Sequence, residues 1–307
     1  LPFGIIGKWG KPIAIQIQKR NPINLRPLMG IKKGYNPKAM GLLLQAYCLR
    51  FKRTQNPDCL ERADWLFSWL TNNYSKGFSG YCWGYNFDWQ ARRLFLFPAN
   101  TPTIVATTFC AEALFKAYEI TNQEKYKNIA LSSAKFVLND LKRTDHHSGF
   151  LFSYSPLNGN NTVYNASLLG AKLLSLCYRH TRNEDYKNVA EQAVRAACQG
   201  QNDDGSWIYG LLPVQSWIDS FHTGYNLEAI FIYQNCTGDN QFCTNLEKGF
   251  TYYLSNFFRE DGTPKYYNDK TYPIDIHCPA QLFVTLSKLE RFKMYEDVAT
   301  KVFNWSI

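Results

Sequence analysis

Apolar residues along this chain recur at helical spacing, and the helical stretches come in pairs. The periodicity predicts helices near 37–53 and 58–74, 103–120 and 123–141, 163–180 and 184–199, 223–236 and 240–257, and 278–291 and 294–305. First members start at 37, 103, 163, 223 and 278, so the pairs repeat at steps of 66, 60, 60 and 55 residues. The two members of a pair differ in kind. Second helices are amphipathic: Leu60, Ala63, Phe67, Leu70 and Tyr74 make one stripe, and Phe242, Leu246, Gly249, Phe250, Tyr253 and Phe257 another. First helices are apolar nearly all round, as over 39–44 and 111–117, and such helices are buried on every side. An inner ring of buried helices inside an outer ring of amphipathic ones satisfies both patterns. The expected fold is therefore all-α, an α/α toroid, with an open solenoid of helix pairs as the alternative. Residues 1–36, rich in Pro and Gly, are expected to form an irregular N-terminal arm, and 37–307 the toroid domain.

Connections are short within pairs, as at Thr121-Asn122 and Arg182-Asn183, and long between them, at 75–102, 142–162, 200–222 and 258–277. In a toroid all the long connections gather at one end. Each carries a glycine followed by aromatics: Gly80 before Tyr81, Trp83 and Tyr85, Gly149 before Phe150, Phe152 and Tyr154, Gly205 before Trp207 and Tyr209, and Gly262 before Tyr266 and Tyr267. The inner helices aim their N-termini into the mouth so formed. Free N–H groups and positive dipole ends there favour an anionic ligand.

Composition adds to this picture. The chain has 307 residues, 45% of them apolar, enough for a large core. Its 20 Tyr, 21 Phe and 8 Trp exceed what a core needs and suit stacking on a ligand. The net charge is +9, but the lysines and arginines are scattered. The densest basic run, Lys8 to Lys33, is broken by Pro12, Pro22 and Pro27, and no groove-reading motif is present, so nucleic acid is not an expected partner. Nine cysteines, an odd count, lie mostly inside helical patterns (Cys48, Cys110, Cys177, Cys198), as reduced buried thiols do. No apolar run is long enough to span a bilayer, and the expected location is the cytoplasm. Cys82, His222, His277 and Cys278 lack metal-site spacing, and no nucleotide fingerprint or nucleophile elbow occurs, so neither a metal nor a cofactor is expected.

The chemistry concentrates in 199–226, which runs from an Asp-Gly turn through Trp207, Tyr209 and Trp217 to Asp219, His222, Thr223 and Tyr225. Asp219 and His222 share one side of a helix start, where a carboxylate can orient an imidazole as acid or base, or merely cap the helix. Asp275 and His277 form a second such pair at the matching place in the last repeat, with Pro279 supporting a capping role. Asp88, between Phe87 and Trp89, is a candidate acid whose apolar wall would raise its pKa. Tyr164 and Asn165, at the start of the third inner helix, line the mouth or cap it.

The run Gln201-Asn202-Asp203-Asp204-Gly205-Ser206-Trp207 resembles the Gln…Gly-x-Trp repeat of α/α-toroid proteins, including terpene cyclases and protein prenyltransferases. The cyclase acid motif and the prenyltransferase zinc constellation are absent, so the likeness speaks for the fold and not for those activities. The segments Trp83 to Gln90, Trp217 to Glu228 and Tyr272 to Gln281 look like those of a toroid family associated with bacterial and archaeal surface-polysaccharide gene clusters, across most of residues 30–290. The chain also resembles unsaturated-glucuronyl hydrolases and the toroid domain of glucuronyl C5-epimerases. These resemblances imply an oligo- or polysaccharide partner, acidic in character, and peripheral association with polysaccharide machinery. The leading expectation is glycoside hydrolysis, with Asp88 and Asp219 as the carboxylate pair, His222 assisting, and Trp83, Trp89, Tyr154 and Trp207 stacking on sugars beside Tyr85, Asn165, Trp217 and Thr223. The alternatives are a uronate epimerase or lyase using His222, His277 and Tyr154, and a glycan-binding protein without turnover. All three place Asp88, Trp83, Asp219, His222, Asp275 and His277 in one concave mouth.

Overall fold

The computed structural model describes residues 17–18, 21–31, 33–90 and 96–307. Just over half of the expected N-terminal arm lies outside them, including Lys8, Lys11, Lys19, Arg20 and Lys32 of its basic run. Ten helices make five hairpins among the described residues: α1 Pro37–Thr54 with α2 Asp58–Asn72, α3 Ile104–Thr121 with α4 Glu124–Asn139, α5 Tyr164–Thr181 with α6 Glu184–Gln199, α7 Ser220–Thr237 with α8 Cys243–Phe257, and α9 His277–Lys288 with α10 Glu296–Ser306. Two short antiparallel ladders sit inside the long connections. Trp89–Gln90 (β1) pairs Leu96–Phe97 (β2), and Arg143–His146 (β3) pairs Gly149–Phe152 (β4).

Local chemistry sets the hairpin ends. Asn36 caps α1 by accepting from the Ala39 N–H, and Thr103 caps α3 by accepting from the Ala106 N–H. The first four inner helices each stop at a left-handed residue, Gln55, Asn122, Arg182 or Gly238, which turns the chain at once into the outer helix. α7 starts at Ser220, earlier than the apolar pattern indicated, because Asp219 serves as its N-cap.

Inner helices α1, α3, α5, α7 and α9 pack in chain order, each on the one before, and each outer helix lies on its own partner. α3 and α5 are buried almost throughout, whereas α2 and α10 bury only one stripe. The expectation of burial on every side fails for α1. Leu42, Leu43 and Leu49 are exposed there, because α1 stands at one end of the row and has an inner neighbour on one flank only among the described residues. All nine cysteines are free thiols, and every one but Cys243 is buried.

The glycine of each long connection touches an outer helix backbone. A Cβ on Gly80, Gly149, Gly205 or Gly262 would lie 2.1, 2.1, 2.4 or 2.4 Å from the carbonyl oxygen of Ser132, Gln192, Lys248 or Lys301. These carbonyls belong to α4, α6, α8 and α10, so each loop is clamped to the outer helix of the following hairpin. No side chain fits that gap, which explains the glycine repeat.

Deep between the inner helices, four charges interlock. Lys172 of α5 reaches Glu112 of α3 at 2.8 Å and Glu228 of α7 at 3.3 Å. Lys288 of α9 reaches the same two carboxylates at 2.6 and 2.9 Å. Gln281 and Thr285 bond the remaining Glu228 oxygen. Burial alone would raise the Glu112 pKa, but the two lysines hold it at about 2. α3 and α9 are not neighbours in the row, so the quartet ties the inner layer together across its axis.

Candidate functional site

Asp219 is 2% exposed, and its carboxylate accepts three donors. They are the His222 backbone N–H at 3.1 Å, the Trp217 indole N–H at 2.9 Å and the His222 ring Nδ1 at 2.8 Å. In the neutral ring, a carboxylate partner selects the His222 tautomer with its proton on Nδ1 and the lone pair on Nε2. The His222 side chain keeps 21% of its surface exposed. Asp219 thus caps α7 and orients His222 with the same carboxylate. Tyr209 and Trp217 stack at 4.5 Å beside the imidazole.

One turn deeper on α7, Tyr225 sits between two other elements. Lys38 of α1 donates to its hydroxyl at 2.9 Å, and the hydroxyl lies 2.7 Å from Nε2 of His277 on α9. Burial, then the charge of Lys38, lowers the His277 pKa to about 4, so this imidazole is neutral at pH 7 and accepts the Tyr225 proton. Burial lowers the Lys38 pKa to about 8, against a raising pull from Glu228. Burial also pushes the phenols of Tyr225 and Tyr154 well above their ordinary range. His222 and His277 flank Phe221, with ring centroids 4.2 and 4.5 Å from it.

Beside His222 lies a narrow crevice, too tight for a water molecule, lined by Asn165, Trp207, Ile208, Tyr209, Asp219, Thr223 and Asn226. Both amide atoms of Asn165 and the carbonyl oxygen of Asn226 lack a hydrogen-bond partner, in residues only 2% and 3% exposed. The Thr223 hydroxyl donates to the Asp219 carbonyl at 2.7 Å.

The expected mouth is therefore assembled in part. Asp219, His222, Thr223, Trp217, Asn165 and His277 come together. Asp275 contributes its carboxylate to the His277 backbone N–H at 3.0 Å, as a cap. Asp88 stands apart: it is exposed and accepts from the Ala99 N–H at 2.8 Å, so no apolar wall encloses it. Trp83 and Trp207 are core residues, with their indole N–H groups donating to the Leu70 and Ala197 carbonyls at 2.9 Å. Trp83 is fully buried and offers no stacking face, whereas an edge of Trp207 reaches the crevice. Trp89 stacks on buried Phe97 at 4.2 Å and meets Tyr154 edge-on at 6.0 Å, with Tyr85 adjoining Trp89, so three half-buried rings gather over one buried ring. One donor at each of three helix starts is already taken. The first N–H groups of α3, α5 and α7 go to the carbonyls of Tyr154, Tyr209 and Tyr266 at 2.9, 3.3 and 3.0 Å. No group of three or more His, Cys, Asp or Glu suited to a metal occurs among the described residues.

Lys38 and Asn226 were not among the residues the sequence singled out, and Tyr225 was named in the central stretch without a role. For Tyr225 a signal existed: His222, Tyr225 and Glu228 follow one another at i, i+3 down the inner face of α7.

No protein-family model and no curated protein matches this chain. Solved structures do. A GH76 α-mannanase from Bacteroides thetaiotaomicron aligns with TM-score 0.67 at 12% identity, over 89% of this chain and 73% of its own. Cellobiose 2-epimerase from Bacillus thermoamylovorans aligns with TM-score 0.61 at 13% identity, over 88% and 75%. A family 88 glycosyl hydrolase from Bacteroides vulgatus gives 0.59 at 12% identity, over 82% and 74%. The fold is the α/α toroid. Identity this low carries the architecture alone, which hosts several chemistries on one frame. In this toroid the long loops lie at the inner-helix N-termini, and the Asp219–His222 pair lies among them. No helix among the described residues is long and apolar enough to cross a membrane.

Proposed function

We propose that this toroid is a carbohydrate-active enzyme that removes and returns a proton at a sugar carbon, an epimerase or isomerase in reaction type. The observation that carries the reading is His222, with Nδ1 anchored on buried Asp219 and its side chain partly exposed among the long loops. A base so oriented takes a proton from a carbon next to a carbonyl. Negative charge then develops on the carbonyl oxygen. The Lys38–Tyr225–His277 chain lies on the neighbouring turn to offset that charge and to supply a proton.

Glycoside hydrolysis needs two carboxylates flanking the bond. Asp219 is occupied by three donors, Asp275 by a helix N–H, and Asp88 lies outside the crevice, which argues against the hydrolytic reading. The decisive experiment is incubation of neutral hexoses, disaccharides and uronates in D2O, read by NMR. Wild type should place deuterium at the carbon next to the carbonyl, and His222→Ala should slow this by about 10²–10⁴-fold. Exchange at an undiminished rate in His222→Ala, or bond cleavage without deuterium at carbon, would overturn the proposal. An unsaturated product absorbing in the ultraviolet would assign the same base to β-elimination.

A further inference from the structure

We infer that Lys38 receives a carboxylate of the bound sugar, so that the substrate is a uronate and the carbon that loses its proton is the one beside that carboxylate. The inference deepens the proposed function and rests on it for the role of His222, though not for binding itself.

Lys38 carries a charge without a counter-charge. Lys172 and Lys288 match Glu112 and Glu228, two against two. Asp219 holds His222 and Trp217, and Asp275 holds the His277 backbone N–H. The Lys38 ammonium donates to the Tyr225 hydroxyl and lies 4.3 and 5.1 Å from the centroids of the Phe109 and Tyr225 rings, but among the described residues no carboxylate pairs with it. Residues 1–16, 19–20, 32 and 91–95 contain no Asp or Glu, so no acid of this sequence is placed there outside the description.

The position is also a poor one for a cation. Lys38 is in the first turn of α1, whose positive dipole end repels an ammonium and which holds no acid to offset it. Burial opposes the charge as well. Aromatic faces attract an ammonium but do not neutralise it. The groups that face Lys38 are Phe109 on α3, Tyr225 and Glu228 on α7, and His277 on α9. Of these Glu228 alone is negative, and it already bonds two other lysines. One bound carboxylate balances one ammonium.

The place is within reach of His222. The ring of Tyr225, which accepts from Lys38, has its centroid 6.0 Å from that of His222. Lys38, Phe221, His222 and His277 are each half-buried, so none is sealed from a ligand at this end of the inner layer. When His222 takes a proton from the carbon beside a carboxylate, the electron pair moves onto the carboxylate oxygens, which then carry a second negative charge. A bound ammonium offsets that charge. Return of a proton to the carbon restores the carboxylate, with no net change in composition.

The test is calorimetry near pH 8 and at low salt, with matched pairs that differ by one carboxylate: D-glucose with D-glucuronate, and cellobiose with cellobiouronic acid. Wild type should bind at least one acid about tenfold or more tightly than its neutral partner. Lys38→Met should erase the preference, a loss of about 10–100-fold in affinity for the acid, and Lys38→Arg should retain most of it. Proton uptake gives a readout that structural damage does not mimic. Burial brings the Lys38 pKa to about 8, so a bound carboxylate draws a proton onto the amine, whereas His277, at about 4, stays neutral there. Titrations in buffers of different ionisation enthalpy should show more proton uptake with wild type than with Lys38→Arg. Melting temperatures establish that each variant is folded, and the arginine comparison stands alone if Lys38→Met is not. Equal affinity for acids and neutral sugars, an unchanged preference in folded Lys38→Met, or no affinity for either acid would each overturn the inference. An acid preference without deuterium exchange would leave the carboxylate site standing and remove the proton-transfer reading. Deuterium exchange in neutral sugars with no acid preference would do the reverse.

Discussion

Asp219 performs two tasks with one carboxylate, and substitution can separate them. Asp219→Asn keeps an oxygen for the His222 backbone N–H, so the cap survives, but it can present an N–H to the His222 ring and reverse its tautomer. Turnover should fall by about a hundredfold or more, and the melting temperature should drop modestly, because the amide nitrogen also faces the Trp217 indole N–H. Lys38 offers the converse case. Its charge is held in a site that penalises it, since burial brings its pKa down to about 8. Lys38→Met should leave the melting temperature at pH 7 unchanged or higher, yet reduce turnover. In wild type the rate should decline above about pH 8 as Lys38 loses its proton, and Lys38→Arg should remove that alkaline limb. His277 titrates with the opposite consequence for stability. Its folded pKa of about 4 lies below the ordinary 6.5, so the unfolded chain binds more protons between those values. Stability from this group is complete above pH 6.5 and is lost as the pH falls toward 4. Thermal melts should show a steeper acid decline for wild type than for His277→Gln. Asp219 and His222 were legible in the sequence because their pairing is a local i, i+3 relation. Lys38 was not, because its partner lies 187 residues away and only packing joins them. Asp88 misled for the same reason: flanking aromatics in sequence do not enclose a side chain that the loop turns outward.

At the scale of elements, the paired periodicity and the alternation of short and long connections carried the architecture. The glycines at 80, 149, 205 and 262 were visible as a repeat, but their purpose was not, because it lies in contact with a helix from the next hairpin. Gly205 also adopts φ +91°, which other residues avoid. Gly205→Ala should therefore lower stability by about 1–3 kcal/mol, measured by denaturant unfolding, and should loosen the loop that bears Trp207, Tyr209 and Trp217. The expected anion-favouring helix starts each lose one donor at α3, α5 and α7. Periodicity locates a helix N-terminus, but it does not show that the carbonyl of a following loop already occupies its first N–H.

For the whole molecule, the lysine–glutamate quartet sets the limits of change. Lys172→Met leaves Glu112 and Glu228 short of one counter-charge in a dry interior and should cost about 3–5 kcal/mol by denaturant melts. Replacing all four charges together with apolar residues of similar volume should cost far less. The quartet has a further consequence for how material moves. Polar side chains from α3, α5, α7 and α9 meet one turn of α7 beyond Tyr225, and Glu112, Lys172 and Glu228 are buried there, so no open channel runs past them. On the proposed function, a sugar that reaches His222 would enter and leave by the same end of the inner layer.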